Sequence, residues 1–140
     1  MNSYLNASGR AVKVGALTLI AGFCGEMEPV DRCSAEEIPG VWTPSGEVYF
    51  SFNGRDYHQD FCAAWFYDGA EDYWDDENGL MCSDDENAPV TAVEADEIAK
   101  AAGGAGALYS GILKAERLAV KAAKADALSF LDQCLSEGEA

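Results

Sequence analysis

Glu47-Val48-Tyr49-Phe50-Ser51-Phe52-Asn53-Gly54-Arg55-Asp56-Tyr57-His58-Gln59 is two aromatic-rich runs joined by Asn-Gly. A two-residue connection of this kind closes a type I′ hairpin, because both turn positions need positive φ and Asn and Gly tolerate it. The spacing then sets the register: Phe50 opposite Tyr57, Phe52 opposite Arg55 and Tyr49 opposite His58. An antiparallel sheet is therefore the expected centre of the fold.

On the N-terminal side, residues 11–23 (AVKVGALTLIAGF) are β-rich and read as one strand bent at Gly15. Residues 25–46 hold Pro29, Pro39, Gly40, Pro44 and Gly46 and read as loop, with Ser34 capping a helical turn over Ala35-Glu36-Glu37. On the C-terminal side, Phe61–Tyr67 is a compact apolar run that fits either helix or strand. Residues 68–89 read as an acidic loop with a near-repeat, Asp75-Asp76-Glu77-Asn78 and Asp84-Asp85-Glu86-Asn87, two copies being too few for a solenoid.

The last third reads as helix. Thr91 with Glu94 three residues on is a capping box, and Gly103-Gly104 should end that helix. A second helix is expected from about Ala107, with Leu108, Ile112, Ala115, Ala119 and Ala122 on one face. Lys114, Arg117, Lys121 and Lys124 line another face. After Asp126 the apolar positions Leu128, Phe130, Leu131 and Leu135 leave the first face, so the helix either restarts there or turns a new face outward. The expected fold is α+β: one domain over residues 1–140, mainly β over 1–67, an acidic loop over 68–89, and helices over 91–136 packed on a small antiparallel sheet.

Charge is distributed unevenly along the chain. Net charge is −16, and residues 1–55, 56–99 and 100–140 contribute −2, −14 and 0. The middle block has fourteen acids and no lysine or arginine. It also holds seven of the fifteen aromatics, which an acidic disordered tail would lack. A folded acidic surface is expected, and such a field bears on partners, solubility and association rate more than on fold.

The five cysteines are an odd number without a CxxC pair, so free thiols in a reducing cytoplasm are expected rather than a disulfide framework. Val14 to Phe23 has the length of a signal-peptide core. However, Phe23 before Cys24 is the wrong size for a lipoprotein cleavage box, and a core strand is the expected reading. No segment is long enough to cross a bilayer.

Catalytic signatures are missing: there is no GxSxG, P-loop or GxGxxG, and the single histidine has no local nucleophile motif. A zinc set built on His58 and Cys62 with Cys24, Cys33 or Cys82 matches no known spacing. Asp76, Asn78, Gly79, Met81 and Asp85 fit positions 3, 5, 6, 8 and 12 of an EF-hand loop, but Trp74 stands where its first aspartate belongs. Neither a metal nor a cofactor is expected from these patterns, although a looser calcium-binding acidic loop remains an alternative. Direct nucleic-acid binding by the basic helix stripe is disfavoured, since the net field repels phosphate.

The remaining class is protein binding. Duplex DNA carries one charge per ~1.7 Å of axis, so fourteen charges match about 24 Å of duplex, or about seven base pairs. The composition is similar in kind to that of the small acidic inhibitors that phages and mobile elements use against restriction or CRISPR effectors; no motif is shared and no residue role transfers. The expected function is a non-enzymatic, cytoplasmic DNA or RNA mimic that covers the basic surface of a nucleic-acid-binding protein. The expected contact is Asp68, Glu71, Asp72, Asp75, Asp76, Glu77, Asp84, Asp85 and Glu86, with Tyr73 and Trp74 as anchors. An immunity protein against a basic nuclease toxin and an acidic secretion-type chaperone are the alternatives. The alanine-rich helix face leaves a homodimer open.

Overall fold

In the computed structural model, the described residues are 11–23, 27–32, 37–85 and 88–138; of these, the side chains of residues 75–78 and 85 lie outside the description. The Asn-Gly hairpin stands at the centre. Strands β4 (Pro39–Phe52) and β5 (Arg55–Phe66) pair with Phe50 opposite Tyr57, Tyr49 opposite His58 and Phe52 opposite Arg55. Asn53 (φ 55°) and Gly54 (φ 79°) both take positive φ, as a type I′ turn requires.

Around this hairpin the sheet grows in both directions. β1 (Ala11–Val14) pairs β2 (Leu17–Phe23), and β2 pairs Gly46–Tyr49 of β4. β3 (Glu28–Asp31) pairs Pro39–Trp42 of β4, beyond β2 on the same edge. On the other side, β5 pairs β6 (Glu71–Cys82), and Met81 and Cys82 of β6 pair the short β7 (Ala88–Pro89). All pairings are antiparallel.

Several local readings change. Residues 11–23 form two strands around a tight turn, not one bent strand. Gly15 takes φ 60°, and a Cβ there would lie 2.4 Å from the Ala101 carbonyl oxygen. The described residues between 27 and 46 are mostly strand. Pro29 lies in the short β3, Pro39 opens β4, and Pro44 sits where the β4–β5 register shifts between Thr43 and Gly46. These are the places a sheet tolerates proline. The segment read as an acidic loop is β6, a 3₁₀ turn over Ser83–Asp85, and β7. The helical turn expected after Ser34 falls largely outside the described residues; Glu37, its last residue, is described without helix.

Two helices cover one face of the sheet. α1 (Ala92–Ala102) begins at the expected capping box: the Glu94 N–H donates to Thr91 Oγ1 and the Thr91 N–H donates to Glu94 Oε1, each at 3.2 Å. It ends at Gly103 in the left-handed region (φ 98°). α2 (Ala105–Gly138) is one continuous helix, without a restart at Asp126. Its buried stripe runs through Ile112, Ala115, Ala119, Ala127 and Leu131, while Ala122 faces solvent. The stripe continues past Asp126 because small Ala127, not the larger Leu128, occupies the core position. Gly111 lets α2 approach the sheet: a Cβ there would stand 2.3 Å from Val14 Cγ2.

The core between sheet and helices gathers Leu19, Val48, Phe50, Phe61, Trp65, Ile98 and Leu131, all nearly fully buried. Phe23 meets Phe61 edge-on at 5.0 Å and Trp65 at 6.0 Å, and Phe50 stacks on Tyr57 at 5.5 Å.

A polar knot ties the hairpin tip to α1. The Tyr57 hydroxyl donates to Glu94 Oε2 at 2.9 Å and Arg55 Nη1 donates to the same oxygen at 3.1 Å. Burial, and next the hydrogen bond to Glu94, push the Tyr57 hydroxyl from 10.0 up to about 12. The Thr91 backbone N–H, and next the Tyr57 hydroxyl, hold the Glu94 carboxyl below the usual range. These shifts have opposite consequences. Unfolded tyrosine releases its proton near 10 while folded Tyr57 keeps it, so this contribution is full below pH 10 and is lost as pH rises toward 12. The Glu94 contribution is present above the ordinary glutamate range and is lost as pH falls through it. Urea unfolding across pH should show Tyr57→Phe flattening the alkaline limb and Glu94→Gln flattening the acid limb.

Candidate protein-binding surface

β6 is where the acidic block meets the fold. Its inner edge pairs β5; its outer edge, from Glu71 to Leu80, has no strand partner among the described residues. Side chains alternate across a strand, so β6 sends its acids to two different environments.

Glu71 and Tyr73 pair Trp65 and Ala63 and face the helices. There the basic stripe of α2 answers them. Arg117 Nη1 and Lys124 Nζ each lie 3.3 Å from a Glu71 carboxylate oxygen, and the Arg117 guanidinium sits 3.9 Å from the Tyr73 ring centroid. Asp68, in the β5–β6 turn, accepts from the Arg32 guanidinium and from the Ala70 N–H at 3.0 Å. The Arg32 hydrogen bond, then that from Ala70, hold its carboxyl below the usual range. Asp68, Glu71 and Tyr73 are therefore engaged within the chain. The expected anchor pair is split, with Tyr73 half-buried under Arg117.

Asp72 and Trp74 pair Ala64 and Cys62 and project from the opposite face of the sheet, away from both helices. Asp72 is exposed, and Trp74 is 47% exposed. Beyond them the strand bulges. Phe61 pairs Asp75 and Gln59 pairs Leu80, so residues 76–79 stand against Asp60 alone. This bulge carries Asp76 and Glu77; the side chains of these two and of Asp75 lie outside the described residues. Asp84, exposed on the 3₁₀ turn, accepts the Asp56 N–H at 3.1 Å. Asp85 lies in the same turn with its side chain outside the description, and Glu86 is outside the described residues altogether.

The helix-free face holds more acids than expected. Glu47 pairs Asp60 and Tyr49 pairs His58, which puts Glu47, Asp60 and His58 together there. Neither Glu47 nor Asp60 is among the expected contact residues, although the hairpin register already sets them opposite each other.

Among the described residues, the potential metal ligands that come together are Glu47, His58 and Asp60, not a set weighed from sequence. The segment matching an EF-hand is largely paired strand, with Met81 buried against His58 in the ladder. Cys62 Sγ donates to the Pro44 carbonyl at 3.3 Å, and Cys82 accepts from Arg55 Nη2 at 3.2 Å. Cys24 and Cys33 are outside the described residues; Cys62, Cys82 and Cys134 are not joined in disulfides. A cavity of about 610 Å³ beside α2 is lined among the described residues by Met27, Asp126, Ser129, Phe130 and Gln133. Among the described residues, no helix is long and apolar enough to cross a membrane. Comparison with known proteins finds no matching family model, no matching curated protein and no matching solved structure.

Proposed function

We propose that this chain is a non-enzymatic inhibitor that binds the basic nucleic-acid-binding surface of another protein, using the outer edge and helix-free face of its sheet in place of DNA or RNA. The observation that carries the reading is the division of acids on β6. Glu71 is answered by Arg117 and Lys124 on the helix face, while Asp72 stands exposed beside the half-exposed Trp74 on the other. An exposed aromatic within a row of acids suits a site that seats one apolar anchor and spends its rim on charge. The contact is Asp72, Trp74, Asp75, Asp76, Glu77, Asp84 and Asp85. The partner is a nuclease or a restriction or CRISPR effector met in the cytoplasm, where free thiols persist.

A tagged chain used to capture proteins from the source cell's lysate at low salt tests this. The expected catch is a basic nuclease or effector subunit, released as salt rises and by added DNA or RNA. A dedicated toxin that stays bound at high salt supports an immunity protein instead, and an unfolded client held by a dimer supports a chaperone.

A further inference from the structure

We propose that Glu47, His58 and Asp60 form a binding site for one divalent transition ion of the zinc class. One ligand atom from each lies within 4.8 Å of the others. Zinc takes nitrogen and carboxylate oxygen at about 2.0–2.2 Å, which places two tetrahedral ligands about 3.4 Å apart. His58 Nε2 and Asp60 Oδ1 stand 3.7 Å apart, too far for a hydrogen bond and near what a shared ion requires.

The imidazole is set for this role. Its side chain is only 7% exposed, and Nδ1 lies 2.6 Å from Ser83 Oγ. With the proton on Nδ1 donated to Ser83, Nε2 turns its lone pair toward the two carboxylates. That is the outer-shell arrangement that orients metal-binding histidines. All three ligands come from the central hairpin: Glu47 and His58 sit on backbone paired on both sides, and Asp60 is paired with Glu47 on one side and stands opposite the β6 bulge on the other. Glu47 and Asp60 are half-buried, which leaves access from solvent, and two carboxylates neutralise a divalent ion. Both also interact with other groups. An ion would compete with those groups as the largest local charge, in a −16 field that concentrates cations. Three protein ligands leave a fourth position for water. The inference does not depend on the proposed inhibitor function.

The chain has a single histidine, so its ring reports without ambiguity. The test is a ZnCl₂ titration of the chelator-treated full chain, read by long-range ¹H–¹⁵N NMR of that ring. One equivalent should move the Nε2 resonance to a metal-bound position, leave Nδ1 protonated and saturate at one ion per chain. Glu47→Gln and Asp60→Asn should each weaken binding tenfold or more, and Asp72→Asn should leave it unchanged. An Nε2 resonance unmoved at several equivalents would overturn the proposal, as would equal affinity in all three variants. The wild-type ring decides the matter even where a variant fails to fold.

Discussion

The triple reversal Asp75→Lys, Asp76→Lys and Glu77→Lys is expected to abolish partner binding while leaving the fold intact or more stable. Each change replaces −1 by +1, so net charge falls in magnitude from −16 to −10. Against a basic groove the new lysines turn attraction into repulsion and remove electrostatic steering. Steering alone is worth roughly 10–10³-fold in association rate. The fold should survive because the outer edge of β6 at these residues has no strand partner among the described residues, and the change relieves self-repulsion among the acids. Binding assays should show at least a hundredfold loss, with thermal melting unchanged or raised.

A rival explanation is that the acids only guard an exposed sheet edge against pairing with another chain. Lysine guards an edge as well as aspartate does, so on that account the reversal would leave all behaviour unchanged. Neutralising the same residues to Asn and Gln would then cause self-association. Full-affinity binding by the lysine variant would remove these residues from the contact.

Trp65→Ala carries the largest expected cost in stability, about 3–5 kcal/mol. Trp65 is 1% exposed and closes an aromatic cluster with Phe23, which in turn rests on Phe61. Truncation leaves a cavity that the paired strands on either side of β5 are poorly placed to fill. A loss of this size is a large share of the ~5–15 kcal/mol that holds a domain folded. Thermal unfolding should drop by roughly 10–20 °C. Trp65→Phe should cost far less, because Trp65 Nε1 is buried without an acceptor among the described residues and phenylalanine keeps most of the ring contact. A melting point of Trp65→Ala within a few degrees of wild type would contradict the assignment of this cluster as the core.

The parts of this fold legible in sequence are those set by local chemistry. Asn53-Gly54 needs no distant residue to make its turn, nor does Thr91 with Glu94 to start a helix. Gly103 likewise stops that helix with its own positive φ. What escaped is set by neighbours. Glu71–Cys82 is rich in acids with poor strand preference, and it is a strand because β5 offers a ladder to pair with. Pro29, Pro39 and Pro44 read as breakers, yet each occupies a short strand, a strand start or a register shift. In α2 the stripe past Asp126 runs through Ala127, which apolar bulk alone does not single out.

The candidate site was legible to the same degree. The charge block pointed to β6 as the candidate surface, but strand alternation decides which acids are spent on α2 and which face outward. That alternation could not be applied while the segment read as loop. Glu47 and Asp60 were within reach, since the register that sets Tyr49 against His58 also sets Glu47 against Asp60.

On the proposed reading, this chain and nucleic acid compete for one basic surface of the partner. The direct measurement is displacement of a fluorescent duplex or RNA from the captured partner by increasing amounts of this chain, followed by fluorescence anisotropy. Complete displacement, with an apparent affinity that falls as nucleic acid is raised, is the predicted result. A ternary complex in which the partner holds both at once would contradict it.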